Sequence, residues 1–178
     1  MVTLEEFLAQ PETTPPREYV AGQVVERPAL AERERWLRAD LATLLYGWAR
    51  TTGRGAVATE VRCTFGGGSY VPDVVYFAER PAEGAGSAAG LVATPDFVAE
   101  ICPAAVDPAW FAARMAEYVA HAVRLAWLID PAEQVVTVYA PGEGPQRVTA
   151  GGMLDGGAVL PGFFLYVDDL FAVLEEEE

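Results

Sequence analysis

The 178-residue chain contains no lysine, so its basic side chains are twelve arginines and a single histidine, His121. That absence excludes a lysine-bearing phosphate loop, and Gly66-Gly67-Gly68-Ser69 reads instead as the turn of a hairpin. One histidine and two cysteines (Cys63 and Cys102) build neither a Ser-His-Asp triad nor a zinc cluster without strained assumptions, and they make no disulfide framework. A cytoplasmic location with reduced thiols is the expectation. Positive charge is scarce as well. A formal net charge of −14 argues against a broad electrostatic grip on nucleic acid, so such contact must come from a local arginine patch or from bound metal. Long apolar runs are missing too. No stretch is long enough to cross a bilayer, so no membrane partner is expected, and the start Met1-Val2-Thr3-Leu4-Glu5-Glu6 lacks the basic residues of a signal peptide.

What is present is globular: 52% hydrophobic and 21% charged residues, read as a single domain over 1–178. Thr3 and Glu6 form a capping box opening a short helix, and Arg17 to Arg27 reads as a hairpin turning at Ala21-Gly22. Trp36, Leu37, Leu41, Leu44, Leu45 and Trp48 recur at helical spacing between Leu30 and Thr51, with Gly53 as the stop. Strands are expected over Ala56–Phe65, Tyr70–Phe77, Pro95–Cys102, Val123–Ile129 and Gln134–Tyr139. Residues 79–90 read as a surface loop. A helix opens at Asp107-Pro108 and runs to about His121, its end cap; a last short helix starts at Asp168. The pattern is a mixed sheet with few helices, hence α/β or α+β.

Two of these strands carry an acid inside an apolar run: Asp73 in Tyr70-Val71-Pro72-Asp73-Val74-Val75-Tyr76-Phe77, and Glu100 in Phe97-Val98-Ala99-Glu100-Ile101-Cys102. A carboxylate there is costly unless paired, hydrogen-bonded or bound to a cation. Asp73 and Glu100 are therefore candidates for a two-carboxylate cation site, with a buried acid pair satisfied by backbone N–H groups and Arg114 as the plainer alternative. Trp110, Phe111, Arg114 and Tyr118 share one helix face, which aims Arg114 at the sheet. Arg33, Arg35 and Arg38 alternate with Glu32, Glu34 and Asp40 and read as a solvated helix face. Glu26 and Glu60 read as solvated strand residues first and as ligands second, Cys102 as a small core residue, and Glu175 to Glu178 as a frayed end.

Taken together, Tyr19-Val20-Ala21-Gly22-Gln23-Val24-Val25-Glu26, Val71-Pro72-Asp73-Val74, Asp96-Phe97-Val98-Ala99-Glu100-Ile101, the run from Tyr118 through Val123 to Pro131, and Leu160-Pro161-Gly162-Phe163 resemble the Uma2 family of putative restriction endonucleases. The resemblance covers nearly the whole chain in one order. It implies a restriction-endonuclease-like PD-(D/E)XK core and Mg²⁺- or Mn²⁺-dependent hydrolysis of phosphodiester bonds, with DNA as the suspected substrate. It further implies Asp73 and Glu100 as metal ligands, joined by the backbone carbonyl of Ile101 and, as a candidate third side chain, Glu26. Hard oxygen ligands of this kind suit Mg²⁺.

The chain departs from the superfamily pattern at the lysine. Cys102 stands two residues after the second acid, and the family's alternative lysine position, on the following helix, is Arg114. Arginine stays protonated, so it can hold phosphate or stabilise charge but cannot act as a general base. Two other functions follow from that. One is a catalytically inactive descendant of the fold that serves as a binding or assembly module; the other is a structural protein self-associating through exposed Trp and Tyr residues, and a dimer is the expected assembly for the nuclease as well.

Overall fold

The computed structural model describes residues 2–82 and 90–175. Most of the expected surface loop, residues 83–89, lies outside them. The elements are α1 (Leu4–Leu8), β1 (Arg17–Val20), β2 (Gln23–Glu26), α2 (Glu32–Thr52), β3 (Ala56–Thr59), β4 (Cys63–Phe65), β5 (Gly68–Tyr70) and β6 (Val74–Phe77). They continue with β7 (Phe97–Ile101), α3 (Pro108–Ala120), β8 (Leu125–Asp130), β9 (Val135–Tyr139), β10 (Gln146–Val148), β11 (Met153–Asp155), β12 (Phe164–Tyr166) and α4 (Val167–Ala172).

The central sheet runs β10-β9-β8-β7-β6-β3 and is mixed, with β7 and β8 parallel and the other neighbours antiparallel. Parallel neighbours need a crossover, and α3 supplies it between β7 and β8. Its start is set by Asp107, whose side chain accepts from the Ala109 N–H, with Pro108 next in line; His121 caps its end. Because side chains alternate across a strand, each sheet face has its own core. Val74, Tyr76, Phe97, Ala99, Ile101, Trp127 and Ile129 pack beneath α2 and α4, while Val75, Val98, Ala126 and Leu128 pack beneath α3. On α2 the buried stripe is Leu37, Leu41, Leu45 and Ala49, spaced by four, whereas Trp36 and Leu44 point to solvent. The two spacings could not be separated by pattern alone, since the apolar residues cover more than one face.

Two expected strands each divide in two. Ala56–Phe65 becomes β3 and β4, and the stretch through Phe77 becomes β5 and β6, with members in different sheets. Pro72 explains the second break, for it has no N–H to offer a ladder. In the second sheet, β2-β1-β5-β4, the β4–β5 hairpin turns at Gly66 and Gly67, whose φ angles of +58° and +80° match the paired left-handed residues of a tight hairpin. Strands β10, β11 and β12 were absent from the sequence expectation because their three-residue length carries too little periodicity.

Candidate active site

The site begins where β6 and β7 part. Their antiparallel pairing includes Val74 opposite Ala99. One step further, where Asp73 would face Glu100, side chains replace the backbone ladder. The Ile101 N–H donates to Asp73 Oδ2 at 2.8 Å, and the Asp73 N–H lies 3.3 Å from Glu100 Oε2. Asp73 continues the parity of Val75 and Phe77, and Glu100 that of Val98 and Cys102, so both acids face the α3 side. Both are fully buried.

Two arginines neutralise them. Arg27, one residue past β2, places Nη2 at 2.8 Å from Asp73 Oδ1 and at 2.8 Å from Glu100 Oε2. Its Nη1 lies 3.7 Å from Glu18 Oε1 on β1. Arg114 grips Glu18 with both terminal nitrogens at 2.7 Å and donates through Nε to Glu100 Oε1 at 3.0 Å. Its guanidinium is stacked among Tyr70, Trp110 and Tyr118, 5.2 to 5.5 Å from the ring centres. Tyr118 donates its hydroxyl to Glu100 Oε1 at 2.7 Å, and Glu18 Oε1 also accepts the Val71 N–H at 2.6 Å. At the edge, half-buried Arg38 holds exposed Glu60 at 2.8 Å and comes within 3.6 Å of Asp73 Oδ1.

The two acids titrate in opposite directions because their surroundings differ. Burial is the largest influence on Asp73 and, with the neighbouring charge of Glu100, lifts its carboxyl to about 6 against the pull of Arg27. Burial also opposes ionisation of Glu100, but Arg27 and Arg114 together outweigh it and bring that carboxyl down to about 2. Arg27 and Arg114 stay protonated, since the surrounding carboxylates more than offset their burial.

Each acid thus turns one oxygen, Asp73 Oδ1 and Glu100 Oε2, to a common cation position. Ile101 holds Asp73 Oδ2, while Arg114 and Tyr118 hold Glu100 Oε1. Asp73 Oδ1 has the Arg27 and Arg38 guanidinium groups at 2.8 and 3.6 Å but accepts no well-aligned hydrogen bond from either. This donor pair fits a hard divalent cation. Among the described residues no group of three or more histidine, cysteine or acidic side chains is arranged to hold a metal, because guanidinium groups stand between Glu18, Asp73 and Glu100.

The model of the Uma2 putative restriction endonuclease family matches residues 4–168. The chain belongs to that family. It is also similar to the crystal structure of a putative nuclease belonging to DUF820 from Anabaena variabilis, with a TM-score of 0.89, 26% identity, and coverage of 98% of this chain and 99% of that one. No curated protein matches. No helix among the described residues is long and apolar enough to cross a membrane.

In this Uma2 chain Asp73, Glu100 and Arg114 converge, with Ile101 joining them through its N–H. Glu26 does not: it stands exposed on β2, and the next residue, Arg27, turns inward in its place. Glu34 and Arg38 also depart from the expected solvated helix face. Glu34 is buried, accepting the N–H groups of Ala31 and Ala104, and Arg38 reaches the edge of the site. Glu18 and Arg27 went unrecognised in the sequence. No local signal marks Glu18 as buried: next to buried Tyr19 on a short hairpin strand, alternation points it to solvent, yet both are buried.

Proposed function

We propose that this protein is a metal-dependent nuclease of the PD-(D/E)XK type, hydrolysing phosphodiester bonds in DNA at the Asp73–Glu100 pair. The observation that carries the reading is a single one: a carboxylate oxygen of each acid lies 2.8 Å from the same cationic nitrogen, Arg27 Nη2, so the two are aimed at one shared cation. Asp73 and Glu100 would hold Mg²⁺ or Mn²⁺, with the Ile101 carbonyl as the backbone ligand the family likeness implies. A metal bound there supplies an activated water and offsets charge on the phosphate.

The remaining residues act by positioning. Ile101 N–H fixes the Asp73 carboxylate, and Tyr118 and Arg114 fix that of Glu100, so neither acid has to reorganise when it takes a cation. Arg114 stands where the family lysine is expected, but its donors are committed to Glu18 and Glu100 and it is 3% exposed. It is therefore a counter-ion rather than a base or a phosphate ligand. Cys102 is no substitute, since burial lifts its thiol to about 11. Any proton from the attacking water passes to solvent or substrate, which makes slow turnover the expected behaviour.

A second reading rests on the same arginines: with Arg27 and Arg114 neutralising the acids, the chain is a non-cutting member that binds or assembles. Incubating purified protein with plasmid and single-stranded DNA in Mg²⁺ or Mn²⁺ separates the two. The nuclease reading expects cleavage that is abolished by EDTA and by Asp73→Asn or Glu100→Gln. No cleavage with either metal, or cleavage unchanged in both variants, overturns it.

A further inference from the structure

We propose that Arg27 is a tethered cation occupying the divalent-metal position, so that metal enters this site only as the Arg27 side chain leaves. The inference rests on the nuclease reading for the identity of the position, but not on turnover.

The argument starts from geometry. Arg27 Nη2 is shared between Asp73 Oδ1 and Glu100 Oε2, at 2.8 Å from each, whereas Arg38 stands 3.6 Å from the first oxygen and the Asp73 N–H 3.3 Å from the second. A nitrogen at that point and a metal ion bound to both oxygens exclude each other. The other arginine is placed differently. Arg114 contacts the opposite oxygen of Glu100 and does not lie between the acids. Charge points the same way. With the three carboxylates ionised, Glu18, Asp73 and Glu100 outnumber Arg27 and Arg114 by one, whereas a divalent ion in place of Arg27 leaves the cluster neutral. Neutral buried clusters are favoured over charged ones.

The side chain also has a means of leaving. Its backbone N–H is pinned to the Pro16 carbonyl at 2.9 Å, but residues 28–31, which follow, have no helix or strand before α2 begins. Its side chain is 7% exposed against 2% for that of Arg114. A phosphodiester arriving at the site offers that guanidinium two oxygens in the bidentate arrangement arginine prefers. Substrate would then draw Arg27 off the carboxylates as metal takes its place.

The test is Mn²⁺ binding by the full chain, read by titration calorimetry and by the melting temperature with Mn²⁺ against EDTA. Arg27→Met keeps an unbranched apolar stem, shorter than arginine, and removes the charge. It is expected to melt lower than wild type in EDTA, to recover in millimolar Mn²⁺, and to bind Mn²⁺ at least about tenfold more tightly than wild type. Adding Glu100→Gln should abolish that gain. Arg27→Lys, which keeps the charge but loses the fork, should fold like wild type and bind Mn²⁺ several-fold more tightly. The inference is overturned if neither variant binds Mn²⁺ more tightly than wild type, or if the gain survives Glu100→Gln. Tighter binding without DNA cleavage leaves the inference standing and sinks the nuclease reading; Mg²⁺-dependent cleavage by wild type with no gain in either variant does the reverse.

Discussion

Replacing Asp73 by asparagine should remove a particular piece of the pH dependence of folding stability. Burial and the Glu100 charge raise the folded-state value of Asp73 to about 6, from an ordinary value of 3.8. The folded protein therefore keeps a proton that the unfolded chain has already lost. Where the folded state binds more protons, stability falls as pH rises. The contribution of Asp73 is present in full below about pH 4 and is lost as pH climbs through about 6. A shift of this size corresponds to about 3 kcal/mol. Glu100, held down to about 2, loses its favourable contribution only as pH falls from its ordinary value of 4.5, so its slope lies below the Asp73 window and has the opposite sign. The chain carries 26 acidic residues, whose mutual repulsion also grows with pH. The informative quantity is thus the difference between wild type and Asp73→Asn, in which that background cancels. Urea unfolding of both proteins from pH 4 to 8, in EDTA, should show wild type losing stability relative to the variant by a few kcal/mol between pH 4 and 6.5 and holding level above it. A difference that stays flat across that range, or rises with pH, would refute the account of Asp73 as a strained, buried carboxylate.

Tyr118→Phe deletes one charge-assisted hydrogen bond to Glu100 and leaves the ring in place, so chemical denaturation should show a loss of about 1.5 to 3 kcal/mol with the fold retained. The thiols of Cys63 and Cys102, both buried and raised to about 12 and about 11, should resist a thiol-specific reagent at pH 8 in the native protein and react fully in denaturant.

Much of the architecture was legible because long periodic segments announce themselves. The existence of α2, the Asp107-Pro108 opening of α3 and the alternation through Glu100 each follow from one local rule. The acids of the site were legible for a thermodynamic reason: a carboxylate amid Val and Phe needs a partner. The partners themselves were not. Arg27 and Glu18 lie on a short hairpin where a charged residue is unremarkable, and their burial arises only when β1 pairs with β5 and brings the hairpin against α3 and the acids. Glu26 and Arg27 illustrate the limit, since adjacent residues at the end of a strand exchange inside for outside with a single step of register.

The parting of β6 and β7 bears on how such a site is read. Asp73 and Glu100 stitch the sheet together beyond its last ladder bond, each answering a backbone N–H that would otherwise be stranded in the interior. The two carboxylates therefore have a structural duty as well as a place in the candidate site. In this chain the acid pair is accounted for by folding alone, and activity has to be judged from the cation the pair holds.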